Sequence, residues 1–271
     1  MNNQLISVII TTKNEEKHIA NCLESIKKQT YPQELIEIIV VDNNSSDKTK
    51  EIALKYTDKV FDSGPERSAQ RNFGVEKSSG EYVMYLDADM ILNRNVIRDC
   101  LEFIEKNREI VGLYITEIVM GKKYWSNVRR FERSFYDATV IDCVRFMKKD
   151  VFQKVGGFDE NFTGPEDWDL DKKIRTTGKT ALIKTPVYHN ETEFDLMKYL
   201  GKKAYYARQF NEYISKWGKG DSDLKKQFGF RYRYFGVFFE KGKWRKLVAH
   251  PILAAGMYFL RFMVGVKYLT R

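Results

Sequence analysis

The sequence predicts a layered α/β fold that ends in a basic helical extension. Short β-branched runs alternate with helix-patterned stretches as far as residue 190, the pattern of strands covered by helices. The 271 residues, 43% apolar and 31% charged, suffice for one large globular unit with an appended segment. Beyond His189 the alternation stops and helical spacing takes over.

The opening residues 1–4 are polar, without the pattern of a cleavable signal. Residues 5–11 are apolar and β-branched, a first strand. Residues 15–28 form a helix with Ile19, Cys22, Leu23 and Ile26 on one face. Residues 36–41 are a second buried strand ending at Asp42, then turn residues 43–47, with Asp47 as N-cap of a helix over 48–56. A short strand at 59–61, a helix at 68–76 and a strand at 82–86 follow, the last ending at Asp87-Ala88-Asp89. Residues 95–107 read as helix, 110–119 as a longer strand, 123–137 as helix and 141–147 as strand. Gly156-Gly157 breaks the chain. A helix over 167–177 is stopped by Gly178, and 180–184 is a last short strand. The expected division is therefore 1–190 and 191–271.

In the extension, apolar residues at 196, 199, 200, 206, 207, 210, 213, 214 and 217 keep helical spacing. Residues 228–239 are dense in aromatics and arginine. Residues 247–267 are strongly apolar, near the ~20 residues that cross a bilayer, but they contain His250, Pro251 and Arg261. A charge at mid-bilayer costs about 2.5–3.5 kcal/mol on insertion scales. A helix lying at the interface thus competes with a single C-terminal anchor. Trp217, Trp244, Tyr258 and Tyr268 suit an interface.

The net charge of +9 is local: residues 198–246 hold 14 Lys/Arg against 4 Asp/Glu, and the remainder holds 32 against 33. Such a block calls for a polyanion, either an anionic membrane surface or nucleic acid. No RRM, KH or zinc module accompanies it, so nucleic acid is the competing reading and the membrane surface the expected one. A packed soluble subdomain or dimer interface is the third. Cys22, Cys100 and Cys143 are odd in number and lack a CxxC pair, which predicts free buried thiols.

Five segments carry a resemblance: SVIITTKNEEKHIANCLESIKKQTYP, IIVVDNNSSDKT, SAQRNFG, YLDADM and GGFDENFTGPEDWDLDKKIRTTG, in that order from Ser7 to Gly178. Together they resemble the family-2 glycosyltransferases. The resemblance implies a GT-A nucleotide-diphospho-sugar transferase fold, a Rossmann-like mixed sheet flanked by helices, with the C-terminal extension membrane-associated. It implies an inverting, metal-dependent transfer from a nucleotide-sugar, UDP-sugar favoured over GDP-sugar. The acceptor would be a lipid-linked or glycan group at the cytoplasmic face of a membrane. A catalytically inactive scaffold of the same fold is the alternative. No GxGxxG or GxxxxGK[ST] loop points to another nucleotide enzyme.

Asp87 and Asp89 look like the family's DxD motif. Hard cations such as Mn2+ or Mg2+ take carboxylate oxygens, and the carboxyl edge of an α/β sheet is where ligands bind. By the same resemblance His189 is a further metal ligand, and Thr11, Glu15, Asp42, Arg71 and Asp87 contact the nucleotide-sugar. Glu166 and Asp167 match the ED motif, with Asp167 as the base for the acceptor hydroxyl and Glu166 supporting acceptor or sugar. Trp168 offers a stacking face. The sequence departs from the commoner VDDGS at Asn43 and Asn44. Asn44 can still adopt the left-handed turn that glycine would supply.

Overall fold

The computed structural model describes residues 4–269. β1 (Ile6–Thr12) leads into α1 (Ile19–Lys27), and β2 (Ile36–Asp42) into α2 (Thr49–Ala53). β3 (Val60–Asp62) precedes α3 (Arg67–Lys77), and β4 (Tyr82–Asp87) is followed at once by β5 (Met90–Leu92). Next come α4 (Val96–Lys106), β6 (Ile110–Met120), α5 (Tyr124–Arg133), β7 (Phe146–Lys148), α6 (Lys149–Lys154), α7 (Glu166–Arg175) and β8 (Lys179–Asn190). Among the described residues these eight strands form one mixed sheet, in the order β3-β2-β1-β4-β7-β6-β8-β5.

β1 pairs in parallel with β2 and β4, and β7 runs antiparallel to β4 and β6. Every residue of β1 and β2 is buried, as parallel strands covered on both faces must be. Alternation sends Ile6, Val8 and Ile10 to the layer of α1 and α4, and Ile9 to the layer of α3 and α7. Contact with α3 is tight. A Cβ on Gly74 would stand 2.4 Å from Ile9 Cγ2. Gly74→Ala is therefore expected to cost about 1–3 kcal/mol by overpacking, read as a lower urea midpoint; an unchanged midpoint would mean the layers yield freely.

Several boundaries differ from the sequence reading, each for a local reason. α1 begins at Ile19, because residues 15–18 form a turn in which Glu15 O accepts from His18 N and Ile19 N. α2 starts only at Thr49, so Lys48 and not Asp47 takes the N-cap position; Asp47, one residue further out, accepts from Thr49 N at 3.0 Å. The strand expected over 141–147 shrinks to Phe146–Lys148, since Asp142 pairs with Arg133 at 2.7 Å and accepts from Ala138 N. β8 extends to Asn190 rather than 184, paired with β6 on one side and β5 on the other. β5 and α6 lie where no element was expected. The three cysteines are free and buried, and burial pushes their thiols up in pKa.

In the extension, α8 (Leu196–Tyr206) and α9 (Phe210–Trp217) are joined by a single 3-10 turn, Ala207–Gln209. α10 (Ser222–Phe228), a π turn (Tyr232–Gly236), α11 (Val237–Phe239), α12 (Trp244–Ala249) and α13 (Pro251–Leu269) complete it. α13 lies on α5: Ala254, Met257 and Leu260 pack with Val128, Phe131, Phe135 and Phe238. Arg261 is 7% exposed and pairs with Glu132 at 3.1 Å. It also donates to the Arg233 carbonyl and the Tyr136 hydroxyl. The arginine that counted against a membrane span is neutralised inside the protein. Among the described residues no helix is long and apolar enough to cross a membrane.

Candidate active site

Strand register builds the site. Thr11 stands beside Asp87, and Thr12 beside Asp42, at the carboxyl ends of β1, β4 and β2. α1 packs on one face of the sheet there and α3 on the other, so a crevice opens between their loops, as at a switch in strand order. Its lining includes Thr11, Lys13, Glu15, Arg67, Asp87, Asp89, His189 and Lys202.

At its base is Arg71, on the inward face of α3 and 1% exposed. One nitrogen donates to Asp87 Oδ1 at 2.9 Å and another to Asp167 Oδ1 at 2.8 Å. The guanidinium lies over the rings of Tyr85 and Phe158, at 4.6 and 5.0 Å, which offsets part of the cost of burying it. Thr11 Oγ1 adds a hydrogen bond to Asp87 at 3.2 Å. Burial alone would raise the Asp87 pKa, but Arg71 and Arg67 hold the carboxyl well below the usual range. The DxD strand and the ED helix, 80 positions apart in sequence, thus share one cation.

Arg67, one helical turn before Arg71, lines the crevice in its place. It donates to Glu166 Oε1 at 2.8 Å, approaches Asp87 Oδ2 at 3.7 Å and lies over the Tyr206 ring at 5.1 Å. Glu166 is 1% exposed, and its other oxygen accepts from Gly164 N. Its carboxylate is therefore turned inward, not offered to a sugar. Burial, together with Asp167 alongside, raises its pKa despite Arg67. Trp168 is not among the lining residues; it packs against Phe210, Tyr213 and Phe228. Its ring ties α7 to α9 and α10. Gly164, at φ +113°, lets the loop before α7 run against α8, where a Cβ would stand 2.5 Å from the Tyr206 carbonyl oxygen.

Asp42 is fully buried, and its oxygens accept from Ser45 N at 2.6 Å and Ser45 Oγ at 2.5 Å. It closes the turn in which Asn44 takes φ 50°, the left-handed conformation expected of it. Glu15 lines the crevice and contacts His18 Nδ1 at 2.7 Å.

β8 places His189 between Val119 and Met90. His189 Nε2 lies 3.1 Å from Asp89 Oδ2, and Nδ1 lies 3.0 Å from Glu117 Oε1. Glu117 is buried with Arg133 and Arg145 at 3.4 and 3.2 Å. Burial would lower the His189 pKa, but Asp89 and Glu117 together push it up to about 10. Asp89 Oδ1 is buried with no hydrogen-bond partner. The carboxylates of Asp87 and Asp89, the latter with its unpartnered Oδ1, and the His189 imidazole suit a divalent cation in kind. Yet among the described residues no three such side chains are gathered as a ready-made cage. Ligation by His189 would require Nε2 to release its proton while Glu117 keeps Nδ1–H, a common arrangement behind a metal-bound histidine.

Three residues of the site escape sequence reasoning. Arg67 stands four residues before Arg71 in SAQRNFG's own helix, a spacing that could have raised it. Glu117 is a lone acid in an otherwise apolar strand, a signal of a buried partner. Lys202 had no signal, because nothing in the extension showed which helix reaches the sheet.

The architecture is of the GT-A transferase type. The mannosyltransferase PcManGT from Pyrobaculum calidifontis, in complex with GDP-Man and Mn2+, matches with a TM-score of 0.66 and 18% identity over 98% of this chain and 87% of that one. TarS 1-349 of S. aureus in complex with UDP-GlcNAc matches with a TM-score of 0.58 and 19% identity, over 97% and 89%. In sequence, residues 7–158 match glycosyl transferase family 2, and the chain belongs to that family. Glycosyltransferase AglE of Haloferax volcanii is 41% identical over 188 residues, 64% of this chain and 62% of AglE. The poly(ribitol-phosphate) beta-N-acetylglucosaminyltransferase TarS of Staphylococcus aureus (strain MW2) is 33% identical over 125 residues, 43% of this chain but 22% of TarS. The chain thus spans only part of these curated relatives.

Proposed function

We propose that this chain transfers a sugar, with inversion, from a nucleotide-sugar to the hydroxyl or phosphate of a lipid-linked or glycan acceptor at the cytoplasmic surface of a membrane. The carrying observation is Arg71 bonded to Asp87 and Asp167 at once, which sets the proposed base beside the proposed donor site. Asp167 is one-quarter exposed and Arg71 bonds its Oδ1, so Oδ2 would serve the acceptor. As the acceptor oxygen bonds the anomeric carbon, its proton passes to Asp167 and the bond to the diphosphate breaks. Arg67 and Lys202 both line the crevice and would offer positive charge to the diphosphate. A divalent cation, Mn2+ or Mg2+, held by Asp87, Asp89 and His189 would neutralise charge on the departing diphosphate. A UDP donor is favoured by the UDP-GlcNAc bound in TarS, whereas PcManGT holds GDP-Man.

Melting curves with UDP and with GDP, each with and without Mn2+, test the reading. Saturation at about 100 times Kd stabilises by about 2.7 kcal/mol, a rise of several degrees. UDP with Mn2+ is expected to give the larger rise, and Asp89→Ala to abolish the Mn2+-dependent part. Absence of any shift, together with absence of transfer from a panel of nucleotide-sugars, overturns the proposal.

A further inference from the structure

We infer that α13 is a monotopic membrane-docking helix, lying in the plane of an anionic bilayer with its outer stripe in the headgroup–acyl boundary. The inference deepens the membrane-surface part of the reading above and does not depend on the transfer chemistry.

α13 is apolar on two faces. The inner face packs on α5, as described. The outer face carries Ile252, Ala255, Phe259 and Phe262, spaced three, four and three residues apart, all exposed. Ile252 is 73% exposed, Phe259 46% and Phe262 62%. This spacing puts them on one line along a helix about 28 Å long. Trp244 and Val248, on the preceding helix α12, are exposed as well. A contiguous apolar face of this kind marks an interaction site rather than ordinary surface.

Charge identifies the occupant. From residue 241 to the end there are seven Lys/Arg and no Asp or Glu. Arg245 and Lys267 are exposed on α12 and α13. Exposed Lys122 and Lys123 precede Tyr124, whose hydroxyl bonds the Ile252 carbonyl at 3.1 Å. Lys267 thus stands at one end of the stripe; at the other, Lys122 and Lys123 share the surface with Glu193 and Asp195, which flank Phe194 on Trp125. A second copy meeting this face would bring two acid-free basic segments together. Anionic headgroups complement them, each nearby cation adding to the attraction. The inner anchor at Arg261 keeps the helix on the protein while its outer side enters the interface.

Co-sedimentation of the full chain with vesicles tests the inference. Vesicles of equal parts phosphatidylglycerol and phosphatidylcholine are expected to bind it, and phosphatidylcholine alone is not. I252E/F262E is expected to lower partitioning at least tenfold, with an unchanged melting point because both side chains are exposed. K122E/K123E is expected to weaken binding and its salt dependence without touching the stripe. Binding that survives I252E/F262E, no binding at all, or a concentration-dependent dimer dispersed by I252E/F262E overturns the inference, the last assigning the face to a second copy. Transfer to a soluble acceptor, measured in parallel, separates the outcomes: transfer without vesicle binding defeats the docking surface and leaves the enzymatic reading intact.

Discussion

Asp167→Asn is expected to lower kcat by about 10²–10⁴-fold, the usual span for loss of a general base, with little change in nucleotide affinity. The amide oxygen of asparagine can still accept the 2.8 Å hydrogen bond from Arg71. The clasp between β4 and α7 therefore persists while the proton acceptor disappears. The melting point tells chemistry from structure. Arg71 keeps Asp87 at 2.9 Å as its counter-charge, so the variant should melt close to the parent. Retained turnover would remove Asp167 from the mechanism. Lost turnover with a collapsed melting point would make it a structural ion pair alone.

The second large effect lies away from the chemistry. Arg261→Met is expected to destabilise the protein by about 3 kcal/mol, toward the lower end for breaking a buried ion pair by removing one partner. Methionine retains much of the packing volume, while Glu132, 4% exposed, loses one of its two arginine partners. Arg129 stays bonded to Glu132 at 2.5 Å, which is why the cost stays below the upper end. The double variant E132Q/R261M should recover much of the loss, because the buried carboxylate left short of a partner is then gone and Arg129 keeps Glu191 at 3.0 Å. Urea unfolding at neutral pH reads all three, and additive losses would refute the pair as the cause.

Acid gives an independent view of Glu132. Burial would raise its pKa, but Arg261 and Arg129 depress it to about 2 from an ordinary 4.5. A depressed carboxyl stabilises the fold above its unfolded pKa and loses that stabilisation as pH falls. About 3 kcal/mol should disappear between pH 4.5 and 2, and Glu132→Gln should flatten that part of the curve.

Most of the sheet was legible because its strands are short, β-branched and bounded by acids or glycines. β1, β2 and β4 differ from the sequence reading by a residue or so. Legibility failed where tertiary contacts set the ends. β8 runs to Asn190 because β6 and β5 supply partners on both sides, whereas its Lys184, Thr185 and His189 weaken any apolar pattern. Asp142 was read into a strand because nothing local reveals that Arg133 claims it.

The candidate site shows the same division. Asp87, Asp89 and His189 line one crevice, and Asp167 is joined to it through Arg71. Direction was what the sequence withheld. Arg71, expected beside base and phosphates, is sealed beneath the carboxylates, and Arg67 faces outward. Glu166 faces Arg67, and Trp168 belongs to an aromatic cluster. Spacing assigns residues to a helix; only packing decides which side faces the cleft.

Lys202 belongs to α8, and Tyr206 on the same helix touches both Arg67 and the loop at Gly164. A graft that exchanges residues 191–271 with a relative would therefore carry away one wall of the cleft along with the tail. On the proposed reading, donor preference and surface attachment would be inherited together, and a chimera cut at residue 190 would alter both at once.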